Sequence, residues 1–463
     1  MNLTVQDRFE IGGEELLAPG QSEPTPGGSG AQNGDGASSQ RETLDDIRVR
    51  VGTLLKTETV SFLLGAGASV DCGGLLIGSV PLPVESDLQQ RGIEQADPPQ
   101  IHEWLSVFYL AVRRAGAGGS PLTRDEILAR QQEVDGGGGQ ALNANFEQVL
   151  AMLHRWRSAL AESGDRLRID GSPPVDAKAE DLEEALRQAT RALARACSLP
   201  APGKENGFAI YNMFVRKVLT RPLNLKRVSI FTLNYDTLAE QAADAEGVVL
   251  LDGFVGTQRR VFRPESYEQD LYFPAETTEG RVHRFDRVLH LYKLHGSITW
   301  TAGEPMIDNP YGVNSATFNP EGTQPLLIYP TPAKYGETLG LPYSELFRRF
   351  AGSLVRPQSV LFVIGYGFGD EHVNSIIRQA LAVPSFTLAI VDPAPKSEFV
   401  TKLRGQKDRR VWVAEGPTVG TLAGFVEHIL PDLRDEEIRK KVLATHRALA
   451  KGNPPPGDAP DGE

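Results

Sequence analysis

The sequence predicts an α/β fold: a parallel sheet with helices on both faces, a helical subdomain inserted after its first strand, and disordered tails at both ends. Three observations carry this. Short, continuous apolar runs recur along the chain: VSFLL at 60–64, VSIFT at 228–232, VLHLYK at 288–293, VLFVI at 360–364, FTLAIV at 386–391 and VWV at 411–413. Unbroken rather than alternating runs suit strands buried on both faces, as in a parallel sheet. Helical patterns such as Tyr343–Val355 and Glu371–Leu381 separate several of them, and strand–helix alternation marks a doubly wound, Rossmann-like domain. Finally, the interval between Ser69 and Val228 holds mostly helical patterns.

Taken in order, residues 1–42 centre on PGQSEPTPGGSGAQNGDGASSQ. Such a segment buries too little apolar surface to offset its ordering entropy, which predicts disorder. The body, residues 43–430, opens with a helical stretch, ETLDDIRVRVGTLLKT, that leads into the first strand. The insertion, about 70–226, contains IHEWLSVFYLAVRRA, NFEQVLAMLHRWRSAL, EDLEEALRQATRALARA and FAIYNMFVRKVL, interrupted by Gly136–Gly139 and GSPPVD. After the last strand, DLRDEEIRKKVLATHRALAK predicts a charged amphipathic helix within 431–451, read as a solvated packing helix with a partner-binding helix as the alternative. Residues 452–463 are again Pro-, Gly- and Asp-rich and predict a second disordered tail.

Composition narrows the function classes. Of 463 residues, 40% are hydrophobic and 23% charged, ordinary for a soluble domain. No apolar run approaches the roughly 18–20 residues that span a bilayer, and the N-terminus has neither the basic start nor the apolar stretch of a secretion signal. A cytoplasmic location is expected. Two cysteines, Cys72 and Cys197, cannot build a disulfide framework or a four-thiolate zinc site. A formal charge of −12 opposes non-specific nucleic-acid binding. An anionic dinucleotide would have to be held by backbone N–H groups and helix ends.

Five strand ends carry residues with chemical potential. Gly65-Ala66-Gly67-Ala68-Ser69 follows the first strand directly. Its glycines allow a tight turn and close backbone approach to a pyrophosphate, although the usual third glycine is absent and a purely structural turn stays open. Thr232-Leu233-Asn234-Tyr235-Asp236 leaves the second strand. An Asn amide there can hold a water or a ribose hydroxyl; alternatively Thr232 and Asp236 cap the following helix and Asn234 shapes the turn. Lys293-Leu294-His295-Gly296 offers an imidazole that can exchange protons near neutral pH, with Gly296 turning the chain so that it faces a cleft. A satisfied structural histidine is the alternative, and it is the reading for His154, His290 and His428. Gly365-Tyr366-Gly367-Phe368-Gly369-Asp370 gives a second place for close approach, with Asp370 a plausible helix N-cap. Asp392-Pro393 ends a strand in a carboxylate that can accept from a ribose hydroxyl or form a turn.

Each motif alone is ambiguous, but their order is specific. A GAG-x-S loop, then T-x-N-x-D, then L-H-G, then a glycine-rich strand end and a strand-terminal acid, over roughly residues 55–430, resembles the sirtuin (silent information regulator) family. The GYGFGDEHVN and KLHGS forms look like its bacterial, zinc-less branch of NAD-consuming anti-phage defence proteins. The resemblance implies that Gly65, Ala66, Gly67 and Ser69 cradle the pyrophosphate of NAD. It further implies that Asn234 contacts the nicotinamide ribose or positions the attacking water, that Asp236 engages the nicotinamide carboxamide region with Thr232 also among the cofactor-binding residues, that His295 is the general base, and that Gly365, Gly367 and Asp392 line the adenosine end. It implies an NAD hydrolase releasing nicotinamide and ADP-ribose, with a protein deacylase or ADP-ribosyltransferase, or a non-catalytic NAD or ADP-ribose sensor, as alternatives.

Two departures from the deacylating sirtuins matter. Their four-cysteine zinc ribbon has no counterpart in residues 298–325, which contain no cysteine, so no zinc is expected. Their Gly-Ile-Pro-Asp-Phe-Arg-like segment is replaced by VDCGGLLIGSVPLPVES. Both changes fall where an acyl-lysine peptide is served. The resemblance also implies a homo-oligomer and a separate partner, a HerA-type ATPase or alternatively a short Argonaute or another sensor.

Overall fold

Strands with no polar face are stable only between two helical layers, and the computed structural model places them there. It describes residues 7–17, 43–116, 121–163, 166–169, 175–273, 283–322, 325–327, 342–435 and 440. The main sheet comprises β1 (Arg8–Ile11), β2 (Glu14–Leu17), β3 (Thr59–Leu64), β4 (Ser229–Thr232), β5 (Val249–Leu251), β6 (Val288–Lys293), β7 (Ser359–Ile364), β8 (Thr387–Asp392) and β9 (Val411–Glu415). Its spatial order is β2-β1-β9-β8-β7-β3-β4-β6-β5, and the pairs from β9 to β5 are parallel.

Successive residues of β3 feed two apolar layers. Val60, Phe62 and Leu64 pack with α1 (Leu44–Leu55) and a helix at the end of the insertion, through Ile47, Val51, Phe214 and Val218. Leu63 instead joins Leu346, Phe350 and Ile377 on the opposite face. Phe62 stacks on Phe362 and meets Phe214 edge-on, each at 5.0 Å between ring centres. All of β3 and β7 is buried, which explains their unbroken apolar sequences.

The insertion contains α2 (Leu82–Gly92), α3 (Glu103–Ala115), α4 (Arg124–Asp135), α5 (Phe146–Ser163), α6 (Ala179–Ala196) and α7 (Glu205–Val218). Helices α2 to α6 enclose a core of their own, with Leu88, Phe108, Phe146, Leu150, Leu186 and Leu193 inside. Beyond it the chain adds α8 (Leu238–Ala245), α9 (Tyr343–Leu354), α10 (Glu371–Leu381) and α11 (Glu398–Gly405).

Two parts of the fold depart from the sequence expectation. Within the segment expected to be disordered, residues 7–17 form the β1–β2 hairpin, and β1 pairs antiparallel with β9. Asp7, fully buried, accepts the N–H groups of Thr418 (2.8 Å) and Val419 (3.1 Å) and so pins the hairpin. Its strands are short, and the glycine- and proline-rich stretch after them dominates the composition; residues 18–42 lie outside the described residues. A second, antiparallel sheet of Phe254–Val255, Arg260–Phe262, Val313–Ser315, Gly296–Ala302 and Pro325–Leu327 was also not anticipated. The expected C-terminal helix lies outside the described residues from 436 to 439 and after 440, as does the 452–463 tail.

Connectivity sets the place for a ligand. The chain runs from β3 outward through β4 towards β6 and β5, then returns to β7 on the other flank of β3 and continues to β8 and β9. The direction of winding therefore reverses between β3 and β7. Open α/β sheets bind their ligands outside the carboxyl ends of the strands at such a point.

Candidate active site

Parallel register aligns the strand ends in one row. Ile364 is paired with Leu64, Leu64 with Thr232 and Thr232 with Lys293. Asn234 and His295 each lie two residues past that row on neighbouring strands. Gly296, at φ +88°, adopts a left-handed backbone that turns the chain directly after His295 into the antiparallel sheet. Above the row lies a cavity of about 830 Å³, within the range of small-molecule sites. Gly65, Ala66, Ser69, Asn234, Asp236, His295, Gly365 and Gly367 all line it.

The glycine turns bring two loops into contact. A Cβ on Gly65 would lie 2.6 Å from the Gly365 carbonyl oxygen, and one on Gly67 would lie 2.7 Å from the Gly365 Cα. The Gly67 N–H donates to the Gly365 carbonyl at 2.8 Å. Gly67 thus serves loop packing and does not line the cavity, in contrast to the pyrophosphate contact expected of it. Gly367 is different: nothing stands within 4 Å of the position a Cβ would take.

Ser69, 2% exposed, is a hub. Its hydroxyl donates to Asp236 Oδ2 (2.7 Å) and accepts from Asn234 Nδ2 (3.0 Å), with the Tyr211 hydroxyl of α7 at 3.1 Å. One donor and two acceptor positions are then all engaged, so the side chain organises the site instead of meeting phosphate. Asn234 Nδ2 also donates to the Gly65 carbonyl at 2.9 Å, and its N–H to Thr232 Oγ1 at 3.0 Å. With the amide nitrogen doubly used, the carboxamide oxygen is the group left to accept from a water or a hydroxyl. Asp236 Oδ1 accepts the Leu238 N–H at 3.0 Å, so the expected capping role and the cavity position coexist. Thr232 is buried, caps Asn234 and donates to the Leu64 carbonyl at 3.3 Å, away from the cavity.

His295 and Asp370 are both buried, with Nε2 3.2 Å from Oδ2. The other oxygen of Asp370 accepts the His372 N–H at 2.9 Å as the N-cap of α10. The Tyr366 hydroxyl accepts the Asp370 N–H at 3.0 Å and lies 3.1 Å from Asn374 Oδ1. Burial first, then the Asp370 charge, pushes the Tyr366 phenol up, so this bracket stays neutral. Asp392 does not line the cavity; its Oδ1 accepts the Ala394 N–H at 2.7 Å, and burial raises its carboxyl.

Sequence reasoning took Asp370 only as a cap and missed its pairing with His295. It also missed Tyr211 and the contribution of the insertion, whose Asn145, Glu147 and Gln148 at the start of α5 line the cavity. Asn145 Oδ1 accepts the Glu147 N–H at 2.9 Å as a helix cap, the one local signal available. Among the described residues no Lys or Arg lines the cavity. The starts of α5 and α10 both reach it and present the positive ends of their dipoles. Cys197 also lines it, as a thiol that burial pushes up to about 12. Among the described residues no cluster of three His, Cys, Asp or Glu side chains is placed to hold a metal ion.

Residues 228–411 match the family model of the SIR2-like domain. The matched SIR2-like segment contains Asn234, Asp236, His295 and Asp370, whereas β3 and the Gly65–Ser69 turn lie outside it. No curated protein matches the chain. Two solved structures are similar at low identity. A Sir2 homologue in complex with NAD is 11% identical, covers 84% of this chain and 94% of its own, and has a TM-score of 0.34. A Sir2 homologue mutant in complex with ADP-ribose is 11% identical over 84% of this chain and 97% of its own, with a TM-score of 0.36.

Proposed function

We propose that the cavity binds NAD and that the protein hydrolyses its nicotinamide–ribose bond, releasing nicotinamide and ADP-ribose. One observation carries the reading: Asn234 and the His295–Asp370 pair open on one cavity, at matching register on adjacent strands, beside a glycine turn at the switch point. The match of residues 228–411 to the SIR2-like domain supports it.

Nicotinamide is a good leaving group because the electron pair of the breaking C–N bond neutralises the ring cation, so no acid has to protonate it. The barrier lies in the positive charge that grows on the ribose, as in glycoside cleavage. Two buried carboxylates already fixed by hydrogen bonds at the cavity, Asp236 and Asp370, favour that charge without reorganising. A water held by the Asn234 carboxamide oxygen attacks the anomeric carbon. The His295 imidazole takes the proton from that water, and the imidazolium then faces the Asp370 carboxylate across its Nε2. The phosphates meet the α5 and α10 helix starts and the open backbone at Gly367.

The test is chromatography of purified protein incubated with NAD. Equimolar nicotinamide and ADP-ribose without added peptide supports hydrolysis. Release only with an acylated peptide replaces it by a transferase, and calorimetric binding with NAD left intact replaces it by a sensor. NAD depletion as a defence effector, with a HerA-type ATPase as partner, extends the same proposal; unchanged cellular NAD on expression with that partner would count against it.

A further inference from the structure

A buried ammonium joins the two chain segments that carry Asn234 and His295. Lys293, the last residue of β6, is 3% exposed and lies two residues before His295. Its Nζ donates to the Asp236 carbonyl, sits 3.4 Å from the Tyr235 carbonyl and donates to Glu240 Oε1 of α8 at 2.9 Å. Three hydrogens thus meet three acceptors, two of them the backbone carbonyls that follow Asn234. The Tyr235 carbonyl is gripped from the other side by the Ile298 N–H at 3.1 Å, from the strand that follows His295. The loop is therefore fastened, at the two residues that follow Asn234, to the chain segment carrying His295.

Charge at this position calls for a reason. A buried ion pair rarely stabilises more than apolar packing of similar volume, and the pair here is imperfect: Glu240 Oε2 has no hydrogen-bond partner. Burial raises the Glu240 carboxyl, opposed by the Lys293 charge, which marks Glu240 as a counterion kept under protest rather than a source of stability. The Tyr235 carbonyl is shared between Lys293 and the Ile298 N–H, the Asp236 carbonyl lies one residue further along the loop, and a long cationic donor reaches both.

We propose that Lys293 is a positioning residue that sets the distance between Asn234 and His295 by holding the Tyr235 and Asp236 carbonyls against the end of β6. The inference rests on the hydrolase reading and deepens it.

Three variants separate positioning from charge neutralisation: Lys293→Met, Glu240→Gln and the double variant. Lys293→Met leaves the partly buried Glu240 carboxylate unpaired and loses stability. Glu240→Gln keeps the carbonyl contacts and retains nicotinamide release within a few-fold. The double variant regains stability but releases nicotinamide with a kcat lower on the order of 100-fold, the scale of a misplacement of about 1 Å, while its affinity for ADP-ribose stays within about 3-fold. Deuterium exchange of the 233–238 backbone rises in the folded double variant. Recovery of kcat together with stability overturns the proposal, as does unchanged exchange. A wild type that releases no nicotinamide overturns the hydrolase reading instead, and the exchange measurement then decides the role of Lys293 alone.

Discussion

His295 Nε2 and Asp370 Oδ2 lie 3.2 Å apart, with both side chains 4% exposed. The two residues come from adjoining parts of the crevice but from strands on opposite flanks of β3. A carboxylate in this position fixes the imidazole tautomer and stabilises the cation formed when the ring takes a proton. Asp370→Asn keeps a side-chain oxygen for the His372 N–H and so keeps the helix cap. It should leave the fold intact and lower kcat for nicotinamide release on the order of 100-fold or more. Asp370→Ala should add a loss of about 1 kcal/mol in urea unfolding, because the cap goes as well. Wild-type turnover in Asp370→Asn would remove the pair from the mechanism.

Asn234 and Ser69 sit in one hydrogen-bond cluster but should respond differently to truncation. Asn234→Ala should abolish nicotinamide release in a protein that still folds, since the lost amide contacts, to the Gly65 carbonyl and Ser69, are partly exposed to water. Ser69→Ala leaves buried Asp236 and Tyr211 facing a methyl group. It should destabilise by about 2 kcal/mol as well as reduce turnover. Circular dichroism and urea titration beside the product assay check both. Equal stability of the two variants would contradict the hub role of Ser69.

Asn234 and His295 were legible because each is a polar residue directly after an unbroken apolar run, where a parallel sheet opens to ligand. The Asp370–His295 contact was not legible: 75 positions separate the pair, and local sequence explains Asp370 fully as the cap of α10. Ser69 and Gly67 were legible as a turn, yet whether they face a ligand or the Gly365 loop depends on how closely β3 and β7 approach. The antiparallel sheet stayed hidden because strands as short as Phe254–Val255 carry no periodicity. The β1–β2 hairpin is held by Asp7, a contact spanning 411 positions that no local pattern announces.

Two glycine substitutions should separate architecture from binding. In Gly67→Ala the new Cβ would fall 2.7 Å from the Gly365 Cα, which belongs to backbone and must be displaced. A loss of about 2 kcal/mol or more in unfolding free energy is expected. In Gly367→Ala the methyl enters open space at the cavity wall, so stability should change by less than about 0.5 kcal/mol. Calorimetry with ADP-ribose should instead show weaker binding, because the backbone is no longer freely approached. A stable Gly67→Ala protein would mean that the two loops are not packed as described.

Acid sensitivity should trace in part to His290. Its ring lies against the aromatic pair Tyr267 and Tyr292, its Nε2 lacks a hydrogen-bond partner, and burial pushes its pKa down to about 4, with Asp270 opposing. The folded state therefore holds this imidazole neutral, while the unfolded chain protonates it near the ordinary 6.5. Its contribution is fully present above pH 6.5. As pH falls below that value the unfolded state binds a proton the folded state refuses, and the contribution is lost completely once pH passes about 4. By pH 5 the loss amounts to about 2 kcal/mol. His290→Phe fills similar space without a titrating nitrogen, so the difference in unfolding free energy between pH 7 and pH 5 should shrink by about that amount. The comparison stops at pH 5 because most carboxylates are still ionised there. An equal difference in variant and wild type would show that His290 takes up its proton without unfolding the protein.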